Sequence, residues 1–159
     1  MSLKSETKTA IDALGRHIAV PHQLDVQDGR RRLTGELFGL DAIGLSFQQL
    51  TLETDELAGA SMDRLKAISE ELSKRLTYLM EPISPIEFDS DGCTVQLRSS
   101  PPQKDDDGTA YYELLVHQGG DLSLRRYHKS AGGQRQSIPA NVTREVFVRL
   151  VGDLDAAIH

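Results

Sequence analysis

The stretch SMDRLKAISEELSKRLTYLM, residues 61 to 80, decides the fold. It sets Leu65, Ile68, Leu72, Leu76 and Leu79 at steps of three and four. That period belongs to an α-helix with one apolar stripe, to be buried against something else. Ser61 is a suitable N-cap, and Asp63 favours the positive end of the helix dipole. Glu70 with Lys74 and Glu71 with Arg75 are acid-first pairs on the opposite face. Each contributes only about 0.2–0.5 kcal/mol, so the stripe dominates. Pro82 and Pro85 end the helix and mark the following segment as an edge strand, because proline has no N–H for a ladder.

Downstream the period changes from 3.6 to two. Ile86 and Phe88 share a face; Ser90-Asp91-Gly92 turns the chain; Cys93, Val95 and Leu97 then alternate with Thr94, Gln96 and Arg98. This is a hairpin pattern. Residues 99 to 108 read as a polar excursion. Ala110, Tyr112, Leu114 and Val116 form the next strand, and Leu122 and Leu124 follow the Gly119-Gly120 turn. A second amphipathic helix, 142 to 158, starts near Asn141 and gathers Val146, Phe147, Leu150, Val151, Leu154 and Ile158.

Upstream, Ile11, Leu14 and Ile18 give residues 3 to 19 a helical stripe that Val20-Pro21 stops. Residues 21 to 32 read as a polar tether with a turn at Asp28-Gly29. Leu33 to Phe38 and Ile43 to Thr54 read as strands. In the second, Ile43, Leu45 and Phe47 lie on one face and Leu50 and Leu52 on the other, so a one-residue bulge near Gln48 and Gln49 is needed to restore the register. The element order is α-β-β-α-β-β-β-β-α. The expected fold is one α+β domain over 1–159: an N-terminal helix (1–20), a tether (21–32) and a core (33–159). In the core, an antiparallel sheet of five or six strands has helices packed on one face. In element order the chain resembles helix-on-sheet grip folds and small acidic dimeric secretion chaperones. The second group is also similar in size and charge, and implies a dimeric, protein-binding role.

The chain has 159 residues and a formal charge of −6, with 38% hydrophobic and 5% aromatic residues and no Trp. A domain of this size buries enough surface to need no staple. The net charge disfavours nucleic acid unless cations segregate. A single Cys93 excludes an internal disulfide and a multi-Cys zinc site. With no apolar signal segment in residues 1 to 10 and no long apolar run, it points to a cytoplasmic protein.

Cations do segregate locally. Residues 121 to 149 hold six Lys or Arg against two acids, whereas residues 81 to 120 hold two against eight. Arg125, Arg126, Lys129 and Arg135, with the loop 130–137 leading into a helix N-terminus, therefore form a candidate anion or partner site. The alternative is a solvated strand end. Tyr111 and Tyr112 must face opposite ways. Tyr111, Leu115 and Tyr127 are the candidate interface, with ordinary half-burial as the alternative.

No catalytic or metal site is expected. His17 and His22 are separated by Pro21, and His117 and His128 lie at different levels of adjacent strands. Asp89-Ser90-Asp91-Gly92 lacks the Glu that completes a calcium loop, and Asp105-Asp106-Asp107 reads as a solvated acidic turn. No Gly-x-Ser-x-Gly elbow occurs. Cys93 is expected on the apolar face. No cofactor is expected. The reading is a non-enzymatic protein-binding or adaptor, chaperone-like module, expected to be a homodimer. One alternative is a small-ligand pocket between the long helix and the sheet, and another is anion or nucleic-acid binding through residues 125–135.

Overall fold

Two adjacent rows of residues run across the sheet and explain the architecture. In a computed structural model that describes residues 2–159, Leu24, Gly35, Leu50, Leu124, Leu114, Leu97 and Pro85 are successive register partners. The neighbouring row is Gln23, Glu36, Gln49, Arg125, Glu113, Arg98 and Ser84. Alternate residues of a strand point to opposite faces, so the first row makes an apolar face and the second a polar one. The apolar face carries the helices.

The elements are α1 (Leu3–Leu14), β1 (His22–Asp28), β2 (Arg31–Leu40), β3 (Gly44–Thr54), a 3-10 turn (Asp55–Leu57), α2 (Met62–Arg75), β4 (Ile83–Asp89), β5 (Thr94–Ser99), β6 (Gln103–Lys104), β7 (Gly108–His117), β8 (Asp121–Ser130), β9 (Arg135–Ile138), β10 (Ala140–Thr143) and α3 (Arg144–Ala156). The fold is mixed α+β, with three helices and one antiparallel sheet. Ten strands replace the five or six expected, in the order β1-β2-β3-β8-β7-β5-β4, with β10 beside β3, β6 beside β7 and β9 beside β8.

Ser61 caps α2 as expected, accepting a hydrogen bond from the Arg64 amide. The helix ends at Arg75 rather than at residue 80. Leu76 and Leu79 remain buried beyond it, and the extended turn carries the Tyr78 hydroxyl to Asp153 of α3, 2.6 Å away. Helix α1 also ends early, at Leu14, because Gly15 adopts φ +75° and stops it before Pro21 is reached. The tether expected over 21–32 is instead strand β1 and its hairpin turn. Leu24 and Val26 alternate there among polar residues and are buried beneath α1.

The bulge required in the second long strand is present. Glu36 pairs with Gln49 and Leu37 with Phe47, so Gln48 has no partner on β2. Its amide donates to Ser137, to both the carbonyl and the hydroxyl at 3.0 Å. This holds a fork in the sheet: the first half of β3 pairs with β10, and the second half with β8. Helix α3 therefore leaves from the middle of the sheet. Its Phe147 packs edge-on against Phe47, with ring centroids 5.6 Å apart. The helix starts at Arg144, capped by Thr143, rather than near Asn141.

Candidate functional site

The helix-covered face is filled. Leu65, Leu72 and Leu76 are completely buried in the same apolar cluster as Leu97, Leu114 and Leu124 of the sheet. Burying such side chains is worth about 1.5–3 kcal/mol each, which favours collapse over an open pocket. One polar assembly interrupts this face. Glu81, just after α2, is buried and lies 3.3 Å from Arg126 of β8. The Ser99 hydroxyl donates to Glu81 at 2.6 Å and accepts from the Tyr112 amide at 2.7 Å. Arg126 also lies over the Tyr112 ring, 4.6 Å from its centroid, and burial pushes the Tyr112 phenol up.

A groove opens on the helix-free face, with a volume of about 680 Å³. Gln96 and Arg98 of β5, Thr109 and Tyr111 of β7, Lys129 of β8 and Arg135 of β9 line it, together with Ile86, Ser99, Ser100 and Pro102. Strand pairing assembles this set: Arg98 faces Glu113, Thr109 faces Lys129, and Lys129 faces Arg135. Glu113 is the buried centre, 4% exposed. Arg135 approaches its Oε2 at 2.5 Å and its Oε1 at 3.4 Å; the Gln96 amide donates at 2.9 Å; Arg98 stands at 3.5 Å. The carboxylate beside Arg135 pushes that guanidinium further up from its already high range. Arg98 stacks over Tyr111 at 4.5 Å, Arg135 stacks over Tyr127 at 4.0 Å, and the two tyrosines lie 6.1 Å apart. Planar guanidiniums on aromatic rings are held in place while their edges stay available to oxygen ligands.

The residues singled out in the sequence are thus divided between two faces. Lys129, Arg135, Tyr111 and Tyr127 come together at the groove. Leu115 lies further along the same face, half-buried, with Ser123 and Gln96 as register partners. Arg125 is on that face too, donating to Gln49 at 2.7 Å. Arg126 is not: strand alternation turns it into the core, where Glu81 holds it. Tyr111 is buried beneath Arg98 rather than presented as a bare apolar surface.

The expected path from the loop 130–137 straight into a helix N-terminus is also overturned. Residues 130 to 135 turn one strand back on another, and β9 and β10 intervene before α3. Cys93 is not on the apolar face. It sits half-buried in the β4–β5 turn at φ +49°, with its Sγ 3.4 Å from the Ser90 carbonyl. Residues 99–108 are not a free excursion, because β6 pairs with β7 and Asp105 Oδ1 accepts from the Asp107 and Gly108 amides.

Arg98 and Glu113 are the site residues that the sequence reading missed. The signal was available: both alternate against the core positions Leu97 and Leu114. Among the described residues, no group of three or more His, Cys, Asp or Glu is placed to hold a metal ion. His117 bonds Thr94 and faces Asp121, whereas His128 pairs with Asp105. No described helix is long and apolar enough to cross a membrane. Comparison with known proteins returned no matching family model, no matching curated protein and no matching solved structure.

Proposed function

We propose that the protein is a non-enzymatic binding module that engages a protein partner through the helix-free face of its sheet. The observation that carries this is the contrast between the two faces. One is packed solid under three helices; the other bears a groove whose two arginines stand over tyrosines beside a buried glutamate. The filled space beneath α2 counts against the small-ligand pocket between helix and sheet. Two further features belong to the same proposal. One is a homodimer, since Ile43 and Ile86 leave apolar surface exposed. The other is a cytoplasmic setting, which suits a lone thiol.

A photocrosslinking amino acid placed at position 109, in the groove, and at position 74, on the exposed face of α2, tests the reading in cells that make the protein. A discrete protein adduct from position 109 and none from position 74 is the expected result. Adducts from position 74 alone, or from neither, would refute it. Light scattering of the purified chain tests the dimer.

A further inference from the structure

Resting on that reading, we infer that the groove recognises carboxylate side chains of an acidic partner segment, with Arg98, Lys129 and Arg135 as the recognising groups. Arg98 and Arg135 flank one buried carboxylate, Glu113, and Lys129 lines the same groove. A single carboxylate offers two oxygens, and Arg135 takes the closest approach to both. Arg98 is left with a loose 3.5 Å contact, and its Nε is buried with no acceptor. Its side chain is nonetheless 38% exposed. Lys129 carries a further charge on the groove wall. The site therefore holds uncompensated positive charge on a chain whose net charge is −6.

The geometry selects the kind of anion. Arg98 and Arg135 stand over the Tyr111 and Tyr127 rings, 4.5 and 4.0 Å from their centroids, which restricts the positions from which their N–H groups are presented. That presentation suits the planar two-oxygen fork of a carboxylate. Gln96 and Thr109 add polar groups to the lining, and Ile86 adds an apolar one. A groove of about 680 Å³ accommodates a few residues of extended chain. A nucleic acid would need a longer basic track and free aromatic faces, yet Tyr111 and Tyr127 are already covered by arginine.

The test uses the full chain and fluorescence anisotropy with a labelled twelve-residue peptide of alternating Glu and Ser. Its Gln counterpart, inorganic phosphate and a single-stranded oligonucleotide serve as competitors. The Glu peptide should bind with salt-sensitive affinity, and the Gln peptide should not compete. Arg98→Gln and Lys129→Gln should each weaken binding by about two- to fivefold, and Lys129→Glu by more. Lys74→Gln, on the far face, should change nothing. Lys129 makes no core contact, so its variants keep the inference testable even if Arg98→Gln folds poorly.

Equal binding by the Lys129 variants would overturn the inference. So would displacement by millimolar phosphate, or tighter binding of the oligonucleotide. If the Glu peptide fails while position 109 still crosslinks a protein, the carboxylate chemistry is wrong and the binding face stands. If neither occurs, both readings fall.

Discussion

Glu81 and Arg126 form a buried ion pair, 3.3 Å apart, on the helix-covered face of the sheet. Each has other partners: Ser99 donates to Glu81, and Arg126 rests on Tyr112. Glu81 Oε2 still has no hydrogen-bond partner. Removing one member of such a pair strands a charge in low dielectric, whereas removing both does not. Arg126→Met alone should therefore cost about 3–5 kcal/mol in urea unfolding. Arg126→Met with Glu81→Leu should recover much of that loss. A double variant no more stable than the single one would show that the pair is not what makes the truncation costly.

Arg144 ties α1 to the rest of the fold through backbone carbonyls. It donates to the carbonyls of Gly15 at 2.7 Å, Asp41 at 3.0 Å and Ile11 at 3.0 Å. These are the carbonyls that a helix end and a strand turn leave unsatisfied. Arg144→Ala should loosen α1 by about 1–3 kcal/mol. Amide exchange would then speed up in residues 3 to 14 while the strands stay protected. Uniform loss of protection across the sheet would contradict this local role.

Gly120 is fixed by a close approach as well as by its backbone angle. Its φ is +109°, and an added Cβ would lie 2.2 Å from the Thr54 carbonyl oxygen. The Thr54 amide in turn donates to the Gly120 carbonyl at 2.7 Å. Gly120→Ala must separate the β7–β8 turn from the end of β3, at a cost of at least about 2 kcal/mol. Gly119→Ala, where a Cβ meets nothing within 4 Å, is the control and should stay within about 1 kcal/mol. Similar midpoints for the two variants in thermal unfolding would rule the contact out as the cause.

Acid should weaken the fold through carboxylates held below their ordinary range. Arg31 beside Glu56, helped by the Thr54 hydroxyl, lowers the Glu56 carboxyl. The amides of Gly44 and Ile43 lower Asp41, and His128 with the Asp107 amide lowers Asp105. For each group the folded form releases its proton more readily than the unfolded chain. The stabilisation is thus complete above the unfolded values near pH 4, and is lost as pH falls through the lower folded ones. Urea midpoints measured from pH 7 to pH 3 should drop below about pH 4, with a shallower drop for Glu56→Gln. An unchanged slope in that variant would remove Glu56 from the explanation.

Long single-period segments were legible in the sequence and short composite ones were not. The stripe Leu65 to Leu76 identified α2. The parity break between Phe47 and Leu50 located the Gln48 bulge before any strand pairing was known. Strand β1 was hidden because only Leu24 and Val26 alternate in it, and its burial is supplied by α1 from outside the segment. Strands β9 and β10 have four residues each, in a Gly- and Ser-rich region, and are held by distant partners on β8 and β3. The candidate site was half legible for the same reason. Strand parity separates Arg126 from Arg135 only once the turn between them is placed. Glu113 and Arg98 become neighbours only through the β5–β7 register.

The fork at Gln48 also governs how this molecule comes apart. Because β10 runs from the heart of the sheet directly into α3, that helix is spliced in as a keystone rather than laid on as a cover. Thr143 is both the last residue of β10 and the cap of α3, so unzipping β10 from β3 would take away the start of that helix in the same event.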